Sequence, residues 1–356
     1  MIASGAYLDG TVLVVGYPGT AHIGTWLLQA ASGLGLGARG LDAGRAFGGP
    51  RWLSALSWRV RGRRPVRLEA FGREVIDTCQ LLRPRWLLST GIAPVERDVL
   101  VAVGALGVRR LNYLTDDPWN PVHRASWFLR ALPAYDHVFT PRRANVEDLT
   151  RLGCSRVSYL PFAYAPELHF PEPPSTLAER ARFDADVVFV GGADADRVAE
   201  MAALVEGGFR VALYGGYWER HRATRAHARG HADPGTMRKA IGGAKVALCL
   251  VRRANRDDNA MRTFEVAAIG ACILAEDTPG HRDLFGEDGE AVVYFRSRGE
   301  MLDRLRGLLA REDERRRLAA AARRRVVEGP HTYGDRLRSM LTDAVAAGAR
   351  IRGAVA

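Results

Sequence analysis

Residues 257–285 read DDNAMRTFEVAAIGACILAEDTPGHRDLF. Met261, Phe264, Val266, Ala268 and Ile269 recur at helical spacing, so the pattern predicts a helix over 260–269. Gly270 is placed to close it in a left-handed conformation. Ala271–Ala275 is a short apolar run, fit for a strand buried on both faces of a parallel sheet. Asp277, Thr278, Pro279 and Gly280 spell a turn, with a second helix expected from His281 to Phe285. Glu265 falls among apolar helix neighbours, and a lone buried carboxylate is costly. Two partners fit it: Arg262, three residues earlier on the same face, or the hydroxyls of a ligand.

Outward from this stretch the chain repeats one theme, an apolar strand followed by a glycine or acidic turn and a helix. Asp186–Val190 runs into Gly191-Gly192, and Phe209–Tyr214 runs into Gly215-Gly216. Lys245–Val251 emerges at Arg252 and Arg253, where planar guanidinium groups suit phosphate oxygens. In the first half, Thr11–Val15 enters a glycine-rich turn over 16–24 that contains His22, then a helix to about Leu34. That turn has neither the G-x-G-x-x-G nor the P-loop spacing. Strands are expected at 85–89, 110–114, 135–140 and 157–160, with helices between them. The strand at 110–114 delivers Asp116 and Asp117 in the sequence Asp-Asp-Pro. Acids at the carboxyl end of a parallel strand stand where open α/β sheets bind ligands, although Asp-Pro is also turn chemistry. Four prolines in 166–175 mark a linker. The reading is α/β with two Rossmann-like domains: 1–165, a linker at 166–183, 184–330, and a terminal helix over 331–356.

The motifs resemble a known family. An acid, seven residues, a Glu on a small-residue helix, a glycine and an apolar strand is similar to the donor-sugar signature of retaining glycosyltransferases of the GT-B fold, in the group 1 superfamily. Arg262, Phe264, Glu265, Gly270, Pro279 and Gly280 bring it nearest the CgeB-like, spore-maturation type. Asp257 or Asp258 stands where that signature has Glu. Asp116-Asp117-Pro118 and the terminal Thr332, Tyr333 and Arg336 also resemble that family. The resemblance implies two domains facing a cleft, with the last helix returning to the first domain. It further implies transfer of a sugar, with retention, from a nucleotide-diphosphate donor to an acceptor glycan, lipid or small natural product. UDP- and dTDP-sugars are the expected donors, and no cofactor is implied. Gly191, Gly192, Gly215, Gly216, Arg252, Asp257, Arg262 and Glu265 would hold the donor, with the backbone at Pro279, Gly280, His281 and Arg282 against its diphosphate. Asp116, Asp117 and His22 would serve acceptor and catalysis. A nucleotide-sugar epimerase or a catalytically silent partner subunit would use the same donor features.

Composition narrows the class. The 356 residues are 47% hydrophobic, enough for two cores and against disorder. The net charge is +11, but lysine occurs only at 239 and 245, and the arginines are spread among acids. That pattern reads as a GC-rich bacterial genome rather than a nucleic-acid interface. No metal is expected, since Asp116-Asp117 is not an Asp-x-Asp motif and the four cysteines lack ligand spacing. Buried thiols at Cys249 and Cys272, no apolar run of about 20 residues and no basic leader suggest a cytoplasmic protein. The Arg- and Trp-rich 45–64 could touch a membrane surface.

Overall fold

The computed structural model describes residues 10–20, 22–49 and 62–353. The chain folds as two compact units. The first holds the described residues up to Pro161, Arg253–Arg256 and the helix that starts at Tyr333. The second holds Phe162–Arg252 and Asp257–Thr332. No helix among the described residues is long and apolar enough to cross a membrane. Trp52, Trp58, Arg51, Arg59 and Arg61 lie outside the described residues.

The sheet of the first unit contains β1 (Thr11–Gly16), β2 (Gly37–Asp42), β3 (Trp86–Thr90), β4 (Arg109–Tyr113), β5 (His137–Thr140) and β6 (Val157–Tyr159). Its order is β2-β1-β3-β4-β5-β6, and every pairing is parallel. The chain leaves β1 toward β2 and returns to β3 on the other side, so the topological switch lies between β1 and β3. Helices α1 (Ile23–Gly33), α2 (Leu68–Leu82), α3 (Arg97–Ala105), α4 (Ser126–Ala131) and α5 (Arg143–Arg151) supply the crossovers. β2, reading Gly-Ala-Arg-Gly-Leu-Asp, has no apolar pattern that would announce a strand. It is an edge strand, exposed except near its end.

The second sheet has β7 (Ala185–Val190), β8 (Val211–Tyr214), β9 (Ala244–Cys249), β10 (Ile273–Glu276) and β11 (Val293–Phe295) in the order β11-β10-β9-β7-β8. These pairings are parallel too, with the switch between β7 and β9. Its helices are α6 (Leu177–Phe183), α7 (Ala195–Glu206), α8 (Pro234–Gly243), α9 (Met261–Ile269), α10 (Pro279–Phe285), α11 (Arg298–Ala310) and α12 (Glu312–Val327). Each unit has its own apolar core, around Leu13, Phe71, Leu87 and Phe128 in the first and Val187, Met201, Leu248 and Leu305 in the second.

The expected linker is not a free connector. His169 is buried, Arg238 pairs with Glu172, and Thr176 with Glu179 forms a capping box on α6. Prolines there fix a path over the second unit. α10 starts at Pro279, two residues earlier than expected, because Thr278 accepts from the His281 amide and proline suits a first helical position. The last helix, α13 (Tyr333–Gly353), belongs to the first unit, where Tyr333 packs 5.0 Å from Trp26 of α1.

Candidate functional site

The second unit gathers charge at the carboxyl ends of β7, β9 and β10, beside its topological switch. Asp194 caps α7 by accepting from the Arg197 amide. Arg197, one turn into that helix, folds back to donate to the Gly192 carbonyl at 3.2 Å and lies over the Phe189 ring. Arg252, leaving β9, stands 3.5 Å from Asp194. Burial holds the Arg197 pKa below its usual value, and the neighbouring Arg252 cation pushes the same way. Asp194, Asp257 and Glu276 oppose that shift, so two guanidinium groups and three carboxylates share one locality. Glu276 is oriented by accepting from the Val251 amide at 2.7 Å. Arg197 was not foreseen from the sequence; the signal was there, an arginine one turn beyond a strand-Gly-Gly-x-Asp junction.

Gly191, Gly192, Gly215 and Gly216 lie at this edge, and packing alone requires glycine at Gly215. Its φ is +135°, and a Cβ there would stand 2.3 Å from the Gly191 carbonyl oxygen. Asp257 and Asp258 enter α9 over the start of α10. Thr278 donates to the Asp258 carbonyl at 2.6 Å, and a Cβ on Gly280 would lie 2.5 Å from that oxygen. The glycine is what lets the acidic loop settle on the first turn of α10, behind Pro279.

Glu265 is 1% exposed and ion-paired to Arg262, one of the two partners foreseen. Arg262 also contacts the Met237 sulfur, and its side chain is 30% exposed. A third group was not foreseen. His169, from the proline-rich stretch, accepts the Ala165 amide at Nδ1, which leaves its proton on Nε2, 3.6 Å from Glu265. A buried carboxylate is thus held between a cation and an oriented imidazole.

The side chains of His281 and Arg282 are engaged within the loop whose backbone is expected at the diphosphate. The Arg282 guanidinium is clasped by Asp277 in two hydrogen bonds of 2.6 and 3.0 Å and paired with Glu287. It is committed to neutralising acids of its own helix region. His281 is fully buried, donates from Nδ1 to the Glu276 carbonyl at 2.8 Å and contacts the Thr263 hydroxyl through Nε2 at 3.1 Å. Its ring ties α9, α10 and β10 together and is closed to a ligand.

In the first unit Asp116 and Asp117, adjacent in sequence, have different surroundings. Asp117 is 1% exposed and clasped by Arg256, which donates from Nε at 2.6 Å and Nη2 at 3.0 Å. Arg256 also reaches Asp148 and Asn145. These bonds hold it at a left-handed φ of 54°, an unusual backbone state for arginine. Beside them Asn120 donates to Asn255 at 2.6 Å. Asp117 is therefore an anchor for residues 253–256, and the expectation of a catalytic role is corrected. Asp116 is half-buried beside Gly91, where a Cβ would meet its Oδ2 at 2.8 Å. His22 is exposed at the start of α1, its ring 5.9 Å from Tyr17. Burial raises the Tyr17 phenol, and the carboxylates of Asp116 and Asp42 raise it further, so the three groups are neighbours. Among the described residues no group of three or more His, Cys, Asp or Glu converges to hold a metal.

Residues 196–342 match the family described as glycosyl transferase-like, a span that contains α9 and the whole 257–285 stretch. A search of curated proteins gives no significant match. Among solved structures, sucrose-phosphate synthase from Thermosynechococcus elongatus superposes with TM-score 0.63 at 12% identity, covering 97% of this chain and 99% of that one. HepE of Anabaena, solved in complex with UDP-glucose, gives 0.62 at 11%, covering 95% and 100%. The α,α-trehalose 6-phosphate synthase of Burkholderia multivorans gives 0.63 at 11%, covering 97% and 98%. The fold is GT-B. With the family match, the protein is an enzyme of the glycosyltransferase type.

Proposed function

We propose that this glycosyltransferase moves a sugar from a nucleotide-diphosphate donor to an acceptor hydroxyl with retention of configuration, as in the CgeB-like group that its motifs resemble. The observation that carries the donor reading is the charged cluster at the switch point between β7 and β9, where open α/β sheets bind ligands. Arg197 and Arg252 would neutralise the leaving diphosphate. Cations already in place need no metal for that task, and the proposal includes none. Glu265, oriented by Arg262 and His169, would accept from sugar or ribose hydroxyls, with Asp257 beside the diphosphate. A UDP-sugar is the first donor to test, since HepE was solved with UDP-glucose. Asp116 would take the acceptor proton.

The test is a panel of UDP-, dTDP- and GDP-sugars read by thermal shift, followed by product analysis with the donor that stabilises. Selective stabilisation and a product that keeps the donor's anomeric configuration would support the proposal. Epimerised donor as the sole product would replace transfer with the epimerase reading. Binding without turnover would leave a silent partner.

A further inference from the structure

We propose that the first unit docks on an anionic phospholipid bilayer through the edge of its sheet opposite Asp116 and Tyr17. The inference stands apart from the transfer reading and concerns where the enzyme works. At the amino ends of β3 and β4 two helices finish, α2 at Leu82 and α3 at Ala105. A groove of about 520 Å³ opens there, and Gln80, Arg83, Arg85 and Leu106 are among its walls. Ligand sites span roughly 300–1,000 Å³, so it has room for a lipid headgroup. Ten large apolar side chains are exposed among the described residues. Four of them, Leu81, Leu82, Val101 and Leu106, belong to α2, α3 and the residue that follows α3. Apolar side chains scattered singly need no explanation, but a cluster marks a contact surface. Leu81 is the most open of the four, at 83%.

The backbone puts arginine where another residue would be easier. After α3 and α9 the chain turns on Gly107 and Gly270, at φ of +80° and +96°. After α2 it makes the same left-handed turn on Arg83, at φ +45°, with the Arg83 amide donating to the Cys79 carbonyl at 2.9 Å. Glycine takes that conformation without steric cost, and a residue with a Cβ does not. The chain accepts the cost and keeps a guanidinium at the groove. Pro84 is buried, which fixes the path to Arg85. The Arg85 guanidinium lies 4.7 Å from the centroid of the buried Trp86 ring, and its backbone pairs with Thr11 and Arg109. Both arginines therefore stand on ordered backbone.

Charge and apolarity together select the occupant. Planar guanidinium groups match phosphate oxygens, and leucines beside them match the boundary between headgroups and acyl chains. Asp77 is the one acid in 76–85, and 101–109 contains none, so little on this face opposes an anionic surface. A second copy of the chain fits less well, because a face-to-face pair would bring four arginines together with two acids. A soluble anion would satisfy the arginines and leave the leucines in water. A bilayer answers both. β3 has five residues, so its two ends stand roughly 16 Å apart. A bilayer at the amino edge would thus leave the carboxyl edge, with Asp116 and Tyr17, turned toward the aqueous phase.

The experiment is co-sedimentation of the full chain with vesicles of phosphatidylcholine alone, or with about 30% phosphatidylglycerol as the anionic lipid. The parent should bind the anionic vesicles at least about tenfold more tightly, since one arginine at such a surface contributes about fivefold. High salt should remove that preference. Arg83→Gly suits the left-handed turn and should lower vesicle affinity about fivefold. Leu81→Gln, at a position already in water, should lower it at least about tenfold. Melting temperatures show that the variants are folded. The inference is overturned if the parent binds neither vesicle or both equally, or if the folded double variant binds as the parent does. A short-chain phosphatidylglycerol, soluble as monomers, gives another arm: if it binds and vesicles do not, the groove is a site for a soluble ligand and the bilayer is excluded. Light scattering without lipid gives the last, since a dimer that Leu81→Gln dissociates would assign the face to a second copy instead.

Discussion

Asp116 and Asp117 show how little adjacency in sequence says about role. Asp117 spends both oxygens on Arg256, while Asp116 stands half-buried near Tyr17. Asp116→Asn should leave donor affinity nearly unchanged and lower turnover at least ~100-fold, the low end for a lost proton-transfer group. Arg256→Ala should leave turnover per folded molecule nearly unchanged and lower stability by about 2 kcal/mol. That is below the 3–5 of a fully buried pair, because Arg256 is 40% exposed. Melting temperature, donor titration and turnover per folded molecule, measured on both variants, separate the roles. A fully active Asp116→Asn would leave that loop as architecture. At the donor, Glu265→Ala should weaken nucleotide-sugar binding by ~1.5–3 kcal/mol, the range for hydrogen bonds to a charged group. Activity should also survive EDTA, since Arg197 and Arg252 supply the positive charge; loss on chelation with rescue by Mg²⁺ would assign that charge to a metal.

At the scale of elements, three buried histidines act as ties. His137 of β5 stacks on Phe139 and meets the Ser158 hydroxyl of β6 at 2.9 Å. His169 lies beside α9, and His281 joins α9, α10 and β10. Burial is the main cause holding all three below the ordinary histidine range, His137 at about 4. The folded protein keeps them neutral, whereas the unfolded chain protonates them near ~6.5. Below ~6.5 the unfolded state binds more protons, so stability falls with falling pH until the folded pKa is reached. His137 alone should cost on the order of 2 kcal/mol at pH ~5. Asp277, held at about 2 mainly by Arg282, gives up its contribution only in a later phase, below the unfolded carboxylate range. Urea midpoints across pH 7.5 to 4 on the parent and His137→Asn test this; an unchanged slope in the variant would show that His137 is not the titrating group.

Legibility also divides by element. The 257–285 stretch could be read because apolar spacing, glycine and proline all point the same way. β2 could not, because an exposed edge strand has no core face to impose alternation. Missing β2 hid Asp42 at its end. His169 looked like linker because prolines signal a break in regular structure, not whether the irregular chain is packed. The backbone of 279–282 was legible as a donor loop from its Pro-Gly turn; nothing in spacing reveals that Thr263, Glu276 and Asp277 hold the His281 and Arg282 side chains.

Over the whole molecule, chain order and fold order differ. The first unit is built from three pieces, with Arg253–Arg256 and the helix after Tyr333 joining it from far along the sequence. α13 buries Tyr333, Leu337, Met340 and Leu341, and Arg336 donates to the Pro161 carbonyl at 2.8 Å. Full burial of an apolar side chain contributes about 1.5–3 kcal/mol, so removing four is comparable to the whole stability of an ordinary domain. A chain ending at Thr332 should therefore lose the first unit's structure while the second, whose sheet and core contain no residue beyond Thr332, keeps its own. Hydrogen exchange reads this directly. Amides of α1 and β1 should exchange rapidly in the truncated chain, and those of β7, β9 and β10 should stay protected. Nucleotide-sugar binding to the truncated chain then asks whether the charged cluster is sufficient for the donor. Retained protection in α1 would show that α13 is an accessory to the first unit rather than a part of its core.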